Sequence, residues 1–334
     1  RDKLLEHRKS NRNRLITNLP KHIEGITIGV SSFKPQGSVA MKTVIQTRFD
    51  DEEYDIDDGL VLKKSDLVDE KGNELTAMEV KGHVRKALED KRFNRQPRLQ
   101  TNCVRVFYSD QDKERHHVDF PVYRKLDNNK DEEQRELASS DEWIESDPTQ
   151  VNRWFEDEIA KRNNTTDGKG TQMRRLVQLL KRFCRSRKTW DMPNGMKLTM
   201  LVSECQPTYS NRIDKAFRDL LESLKSRLED SKKINNLAHP DKPHITKTSN
   251  DSNVCELLCR IEETLDKLEI LDDKDCTKSD ARSAWDWVFK SDGFFDDYDG
   301  DDDKESKSYK KESAGLVSAV PKRPVDHHGG GRFG

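Results

Sequence analysis

Apolar positions recur at helical spacing near the start of the chain, at strand-like density through its first half, and at helical spacing again through its second. Residues 2–22 carry Leu4, Leu5, Leu15, Ile16 and Leu19 among many charges, which predicts an amphipathic helix ending near Pro20. Ile26 to Val30 is a short apolar piece. Ser31 to Gly37 reads as a loop, and a turn after Pro35 would open a helix at Gly37-Ser38. Residues 44–62 hold two strand candidates, separated by the acidic run Asp50-Asp51-Glu52-Glu53, a solvated turn. Thr76 to Asp90 has helical spacing, with Val80, Val84, Ala87 and Leu88 along one face. Cys103 to Tyr108 reads as a strand, Ser109 to Lys113 as a polar turn, and His117 to Tyr123 as the returning strand of an antiparallel hairpin.

Lys125 to Ser146 is charged and poor in large apolar residues, which predicts an interdomain connection. Beyond it the pattern is helical: 148–162 with Val151, Trp154, Phe155 and Ile159, then 170–186, the apolar run Met196 to Val202, and 210–230. Asn235 to Asn253 is a loop containing Pro240 and Pro243. Helices follow at about 253–270 and 279–290, the second holding Trp285, Trp287, Val288 and Phe289. The expected fold class is α+β: a mixed or antiparallel sheet core, then a C-terminal helical bundle. The expected domains are 1–146 for the core, 147–291 for the helical part, and 292–334 for an acidic tail. Asp296 to Asp303 suggests a calcium loop, but its Gly falls at the wrong step and no Glu closes it, which excludes an EF-hand.

Composition narrows the function. With 334 residues, 32% hydrophobic and 37% charged, the chain can bury a core only if some polar segments stay outside it. A net charge of −2 gives no reason to expect a long nucleic-acid partner, although a local basic groove could still hold triphosphates. No long apolar run predicts a membrane span or secretory signal, so a cytoplasmic protein is expected. Cys103, Cys184, Cys205, Cys255, Cys259 and Cys276 form no tight framework and read as reduced thiols. Cys255 and Cys259, four apart beside Leu257 and Leu258, read as core residues rather than zinc ligands.

The candidate chemistry lies in the first half. A helix opening at Gly37-Ser38 would leave N–H groups free and point its dipole at an anion. On a strand, Asp55 and Asp57 project to one face while Ile56 points into a core. The strand at His117 to Tyr123 supplies a third carboxylate, Asp119. Three carboxylates beside a phosphate-binding turn suit two Mg²⁺ ions, or Mn²⁺ in their place, and a nucleoside triphosphate. In so acidic a chain a lone Asp-x-Asp is usually a solvated strand face; here it lies between apolar residues, with Gly-Ser upstream and a second Asp-bearing apolar strand downstream. His116 and His117 are expected to face solvent.

Gln36-Gly37-Ser38-Val39-Ala40-Met41-Lys42-Thr43, Tyr54-Asp55-Ile56-Asp57-Asp58-Gly59 and His117-Val118-Asp119-Phe120-Pro121-Val122-Tyr123-Arg124 together resemble the bacterial cGAS/DncV-like nucleotidyltransferases of the polymerase-β-like superfamily. The resemblance runs through roughly residues 1–290. It implies a cyclic oligonucleotide synthase of CBASS anti-phage defence that joins ATP, GTP or other NTPs into a cGAMP-like cyclic di- or trinucleotide. It implies Asp55, Asp57 and Asp119 as metal ligands, and Gln36, Gly37 and Ser38 as phosphate ligands. It further implies that Lys181, or equally Arg182, and Ser203 contact the donor triphosphate. The site is expected in a cleft between the two halves, with Tyr123 or Tyr209 stacked on a base. The chain lacks the His-plus-three-Cys insertion of the animal relative, so no zinc-dependent DNA-sensing module is expected. In operons with an E1/E2-like ligase the synthase's terminal residue is conjugated to targets, which makes Gly334 a candidate conjugation residue.

The expected reaction attacks a donor α-phosphate with an acceptor ribose hydroxyl and releases pyrophosphate; a second round closes the ring. Tailing of tRNA or other RNA and nucleotide transfer to a protein or antibiotic are the enzymatic rivals, and an inactive scaffold acting through its tail is the third. All these expectations require residues 55, 57 and 119 to share one face near 37–38.

Overall fold

The computed structural model describes residues 2–45, 54–109, 115–126, 134–162, 171–205, 207–241, 244–246 and 248–295. They fall into two compact units, the first running to Arg153 and the second beginning at Trp154.

The first unit starts with helix α1 (Asp2–Asn18), which a 3-10 turn at Leu19–Lys21 ends at Pro20, as the spacing predicts. Strand β1 (Phe33–Pro35) leads into helix α2 (Gly37–Met41), and strand β2 (Tyr54–Lys63) follows. Helix α3 (Ala77–Leu88) begins at a capping box. The Thr76 hydroxyl accepts from the Glu79 N–H, and the Glu79 carboxylate accepts from the Thr76 N–H. Its apolar face, Val80, Val84, Ala87 and Leu88, is buried together with Leu15, Leu19, Ile56, Leu60, Val104, Val118 and Phe120 in one core.

Strands β3 (Arg98–Leu99), β4 (Val104–Ser109), β5 (Arg115–Phe120), β6 (Val122–Lys125), β7 (Arg135–Ser139) and β8 (Glu142–Glu145) complete an eight-stranded mixed sheet. Strand β2 is its axis. Its first half pairs parallel with β5, its second half parallel with β6, and β1 lies antiparallel to it. Pro121, which has no N–H to donate, divides β5 from β6, and its carbonyl still accepts from the Leu60 N–H at 2.8 Å. Strands β4 and β5 form the predicted antiparallel hairpin.

The segment Lys125 to Ser146 is not an interdomain connection. It carries β7 and β8, antiparallel to each other, with β7 antiparallel to β6. These strands need few apolar residues: Leu137 and Ala138 are buried, while β8 is mostly exposed. Charge density here marks a sheet edge rather than a linker.

The second unit is helical: α4 (Pro148–Arg162), which starts just ahead of it, α5 (Gln172–Cys184), α6 (Gly195–Cys205), α7 (Ile213–Asp230), α8 (Ser252–Leu268) and α9 (Lys278–Phe289). Leu176, Leu180, Phe183, Leu201, Phe217, Leu220, Leu224, Leu257, Ile261 and Val288 make its core. Phe217, Trp285 and Phe289 form a ring cluster there, with Phe289 stacked on each of the other two. Cys255 is half-buried and Cys259 exposed, so neither is the core residue its neighbours suggested. No described helix is long and apolar enough to cross a membrane. The Asp296 to Asp303 run and Gly334 lie outside the described residues.

Candidate active site

The turn after β1 is built by three residues in succession. Gln36 is extended, with φ −132° and ψ 177°. Its N–H donates to the Asp57 carbonyl at 3.1 Å, tying the turn to β2. Gly37 has φ +59°, a conformation that favours glycine, and Ser38 follows. Helix α2 is only five residues long and ends where Lys42 turns left-handed at φ 56°. So short a helix sums few peptide dipoles. An anion here would be held by the individual N–H groups and the Ser38 hydroxyl rather than by the helix dipole the sequence suggested.

The parallel β2–β5 ladder sets the carboxylates. Asp57 is the register partner of Asp119, and Asp55 of His117. Side chains alternate along a strand, so the backbone places positions 55, 57, 117 and 119 on one face. Ile56 and Val118, partners of each other, are buried on the opposite face. Asp57 is partly exposed, whereas Asp119 is 5% exposed. The side chain of Asp55 is not among those described.

Asp119 is gripped from the next strand. Arg105 of β4 is its register partner, and the guanidinium donates to both carboxylate oxygens, at 2.8 and 2.7 Å. Arg105 in turn pairs across the edge with Arg98 of β3. One row of the sheet therefore reads Arg98, Arg105, Asp119, Asp57. His117 Nε2 lies 3.8 Å from Asp119 Oδ2. Burial, with help from the Asp119 charge, pushes the Cys103 thiol well above its usual range.

Both histidines are buried, not solvent-facing. His116 lies 2.8 Å from His7 of α1, Nε2 to Nδ1, and the rings of His7, Tyr108 and His116 stack with centroids 3.9 to 5.0 Å apart. The α1 helix docks on the sheet through that stack, which absorbs a residue sequence reasoning left on the surface.

Sequence reasoning missed three residues. Asp58 has the parity of Ile56 and points to the core side, where it is fully buried and forked by Arg12 of α1 at 2.6 and 2.5 Å. The signal was available, because a third acidic residue at core parity needs a cation from elsewhere. Arg105 was readable from hairpin register. Gly59, the last of the Asp-x-Asp-Asp-Gly run, packs against Gln36 and would not admit a Cβ without moving it. Tyr123 is 4% exposed and donates its hydroxyl to Gln36 Oε1 at 3.2 Å. A ring so buried does not stack on a base. Tyr209 is 44% exposed.

Lys181 and Ser203 belong to the second unit. Lys181 and Arg182 are both buried on α5, and the Lys181 side chain packs beneath Gly195 at the start of α6. Ser203 is buried on α6 and donates to Glu158 at 3.2 Å.

Residues 31–123 match the family described as cyclic GMP-AMP synthase DncV-like, nucleotidyltransferase domain. That span contains Gln36, Gly37, Ser38, Asp55, Asp57, Arg105, Asp119 and Tyr123. The fold matches solved structures of Vibrio cholerae DncV. The apo form shares 17% identity at a TM-score of 0.60, covering 84% of this chain and 79% of that one. A complex of the same cyclic AMP-GMP synthase with the linear intermediate 5′ pppA(3′,5′)pG matches at 18% identity and TM-score 0.60, covering 84% and 80%. A variant bound to ATP and GTP matches at 16% identity and TM-score 0.61, covering 84% and 80%.

Proposed function

We propose, from the premise that residues 31–123 form a DncV-like nucleotidyltransferase domain, that this chain joins nucleoside triphosphates into a cyclic oligonucleotide and releases pyrophosphate. One observation carries the reading: the in-register pair Asp57–Asp119 lies on a strand tied to the Gln36-Gly37-Ser38 turn through the Gln36 N–H and the Asp57 carbonyl. The carboxylates and the turn proposed to bind phosphate are thus tied to one strand.

Asp57 and Asp119 supply oxygen donors of the hard kind that magnesium takes, though among the described residues no third acidic, His or Cys side chain joins them as a metal-holding group. A carboxylate offers about four lone-pair sites. Asp119 therefore keeps acceptor capacity while Arg105 holds two of them. Asp55, Asp57 and Asp119 would hold the metal, two ions in the proposed form, with Mn²⁺ as an alternative. Bound there, it would lower the pKa of the acceptor ribose hydroxyl and neutralise charge on the transferred phosphate.

The remaining work falls to the chain's own residues. Arg105 fixes the plane of the Asp119 carboxylate, so this ligand does not reorganise during the reaction. Gly37 offers its backbone N–H and Ser38 its hydroxyl to the β- and γ-phosphates. Lys181 and Ser203 are proposed as further triphosphate ligands; for Ser203 this requires its hydroxyl to leave Glu158. ATP and GTP are the proposed substrates, by likeness to the DncV complexes. The product is further proposed to serve as a second messenger in anti-phage defence, the role that the motif resemblance implies.

The test incubates the purified protein with each NTP and each pair of NTPs plus Mg²⁺, then treats the products with phosphatase and reads them by mass spectrometry. A phosphatase-resistant cyclic product is expected. Products that are only linear, or only protein-linked, sink the proposal.

A further inference from the structure

The row that holds Asp57 and Asp119 runs on to the edge of the sheet and ends in a cation. Arg98 of β3 is the register partner of Arg105, and both residues of β3 are exposed. Like charges directly opposite each other on two strands repel. Arg105 is neutralised by its fork on Asp119. The Arg98 guanidinium has neither a hydrogen bond nor an ion pair among the described residues. The neighbouring row, Asp55, His117 and Phe107, ends in the same way. The Phe107 ring is half-buried, and the Arg95 guanidinium lies over it, 3.4 Å from the centroid. A guanidinium resting on a ring face can still donate its N–H groups outward. Arg95 is exposed and likewise has no acceptor among the described residues.

These two arginines lie at a defined place relative to the chemistry. Asp57 is bonded to the Gln36-Gly37-Ser38 turn on one edge of β2 and faces Asp119 across the other. Taken from the turn outward, the row is Gln36, Asp57, Asp119, Arg105, Arg98. An in-line displacement keeps the attacking and leaving oxygens on opposite sides of the phosphorus. With pyrophosphate leaving at the turn, the acceptor hydroxyl comes in from the Asp119 side. Strands are spaced about 4.8 Å, which puts the Arg98 backbone about 10 Å beyond that of Asp119. A ribose with its 5′-phosphates spans that interval. Anything anionic on the acceptor is therefore carried towards Arg98 and Arg95.

We infer that Arg98, assisted by Arg95, binds the 5′-phosphates of the acceptor nucleotide, so that the acceptor is selected as a nucleoside triphosphate. The inference rests on the nucleotidyltransferase reading and deepens it, because it concerns the acceptor rather than the donor. In the reaction the acceptor hydroxyl oxygen forms the new bond to the donor α-phosphorus. The bond to pyrophosphate breaks with its electron pair, and the hydroxyl proton passes to water. Arg98 touches none of those atoms. It holds the far end of the acceptor and so fixes where the hydroxyl sits. A guanidinium fork suits phosphate oxygens, which it can meet two at a time. A nucleoside, or the hydroxyl of a protein side chain, would give these arginines nothing to hold.

The test supplies a donor that cannot accept, 2′,3′-dideoxy-ATP, with Mg²⁺, and offers guanosine, GMP or GTP as acceptor. The series is repeated with 2′,3′-dideoxy-GTP and adenosine, AMP or ATP, and linear products are resolved by mass spectrometry. Wild type should use the triphosphate at the lowest KM. Arg98→Ala and Arg95→Ala should each narrow the preference for triphosphate over nucleoside about fivefold, the worth of one exposed charge pair, and the double variant by about the product of the two. Arg98→Glu should narrow it further, and Arg98→Lys should restore part of it. KM for the dideoxy donor should move less than KM for the acceptor. An equal loss with guanosine and with GTP, or an unchanged preference in Arg98→Glu, would overturn the inference. Extension of an RNA oligonucleotide at a lower KM than GTP would overturn it too, by making the cationic rim a nucleic-acid groove. Unfolding midpoints check that the variants are folded, and Arg95→Ala decides should the Arg98 variants fail to fold. No product from any pair would sink the nucleotidyltransferase reading itself, whereas product formed with a preference blind to these arginines sinks only the acceptor assignment.

Discussion

Arg105 faces Asp119 directly across the β4–β5 ladder and donates to both of its carboxylate oxygens. The pair is local to the hairpin and independent of any bound group, so Asp119 is oriented before substrate arrives. Substituting partners that hold a metal ligand typically lowers metal affinity or activity 10–100-fold. Arg105→Gln should therefore raise the Mg²⁺ concentration for half-maximal activity by roughly that factor, with a smaller effect on NTP KM. A magnesium titration at saturating NTP reads it. An unchanged Mg²⁺ midpoint would show that Asp119 needs no orienting partner.

The β2–β5 register makes a sharper prediction about the carboxylates. Asp57→Asn and Asp119→Asn keep side-chain shape and remove charge at adjacent positions of one row. Each should lower product formation by about a thousandfold or more; Asp57→Asn should leave the unfolding midpoint within a few degrees, whereas Asp119→Asn, which takes the buried carboxylate from Arg105, should lower it. The two losses should not multiply, because residues that act as a unit are grossly non-additive. Turnover by the Asp57→Asn protein at more than a tenth of the wild-type rate would remove Asp57 from the proposed metal ligands.

The contrast between what the sequence disclosed and what it hid follows from the reach of each interaction. Period-two alternation revealed that Asp55 and Asp57 share a face, and helical spacing located α1, α3 and the bundle helices. These are properties of neighbours in sequence. The Arg12–Asp58 fork, the His7–His116 contact and the Gly59–Gln36 packing join residues 46, 109 and 23 positions apart (59 − 36 = 23). No local period encodes them. The β7–β8 edge was misread for a different reason: a half-exposed strand pair needs so few apolar residues that its composition matches that of a linker.

The Arg12–Asp58 pair tests the long-range part of the fold. Asp58 is fully buried, and Arg12 is its bidentate partner from α1. Removing one partner of a buried ion pair leaves the other charged and desolvated, which costs about 3–5 kcal/mol. Arg12→Ala should lower stability by that order, read as the urea midpoint of the first unit's unfolding. Arg12→Leu/Asp58→Leu should recover much of the loss, since an apolar pair of similar size is often neutral. A double variant as unstable as Arg12→Ala would mean that the pair's geometry, not its charge, carries the α1 docking.

Asp90, just past α3, carries the clearest pH dependence. Its carboxylate accepts from the Arg92 side chain at 3.0 and 2.7 Å, from the Arg92 N–H at 3.0 Å, and from Arg14 of α1 at 3.0 Å. The Arg92 guanidinium, then its backbone N–H, then the Arg14 charge hold Asp90 well below the usual carboxylate range, against a smaller opposing effect of burial. The folded state thus releases this proton more readily than the unfolded chain does. The stabilisation is fully present above the unfolded value of about 3.9 and is lost as pH falls below it. Asp90→Asn should lower the urea midpoint at pH 7 and make the curve of midpoint against pH flatter below about pH 4. Because the site lies near the surface, the change at neutral pH should be modest. Parallel acid limbs for wild type and variant would show that other carboxylates, not Asp90, carry the loss of stability in acid.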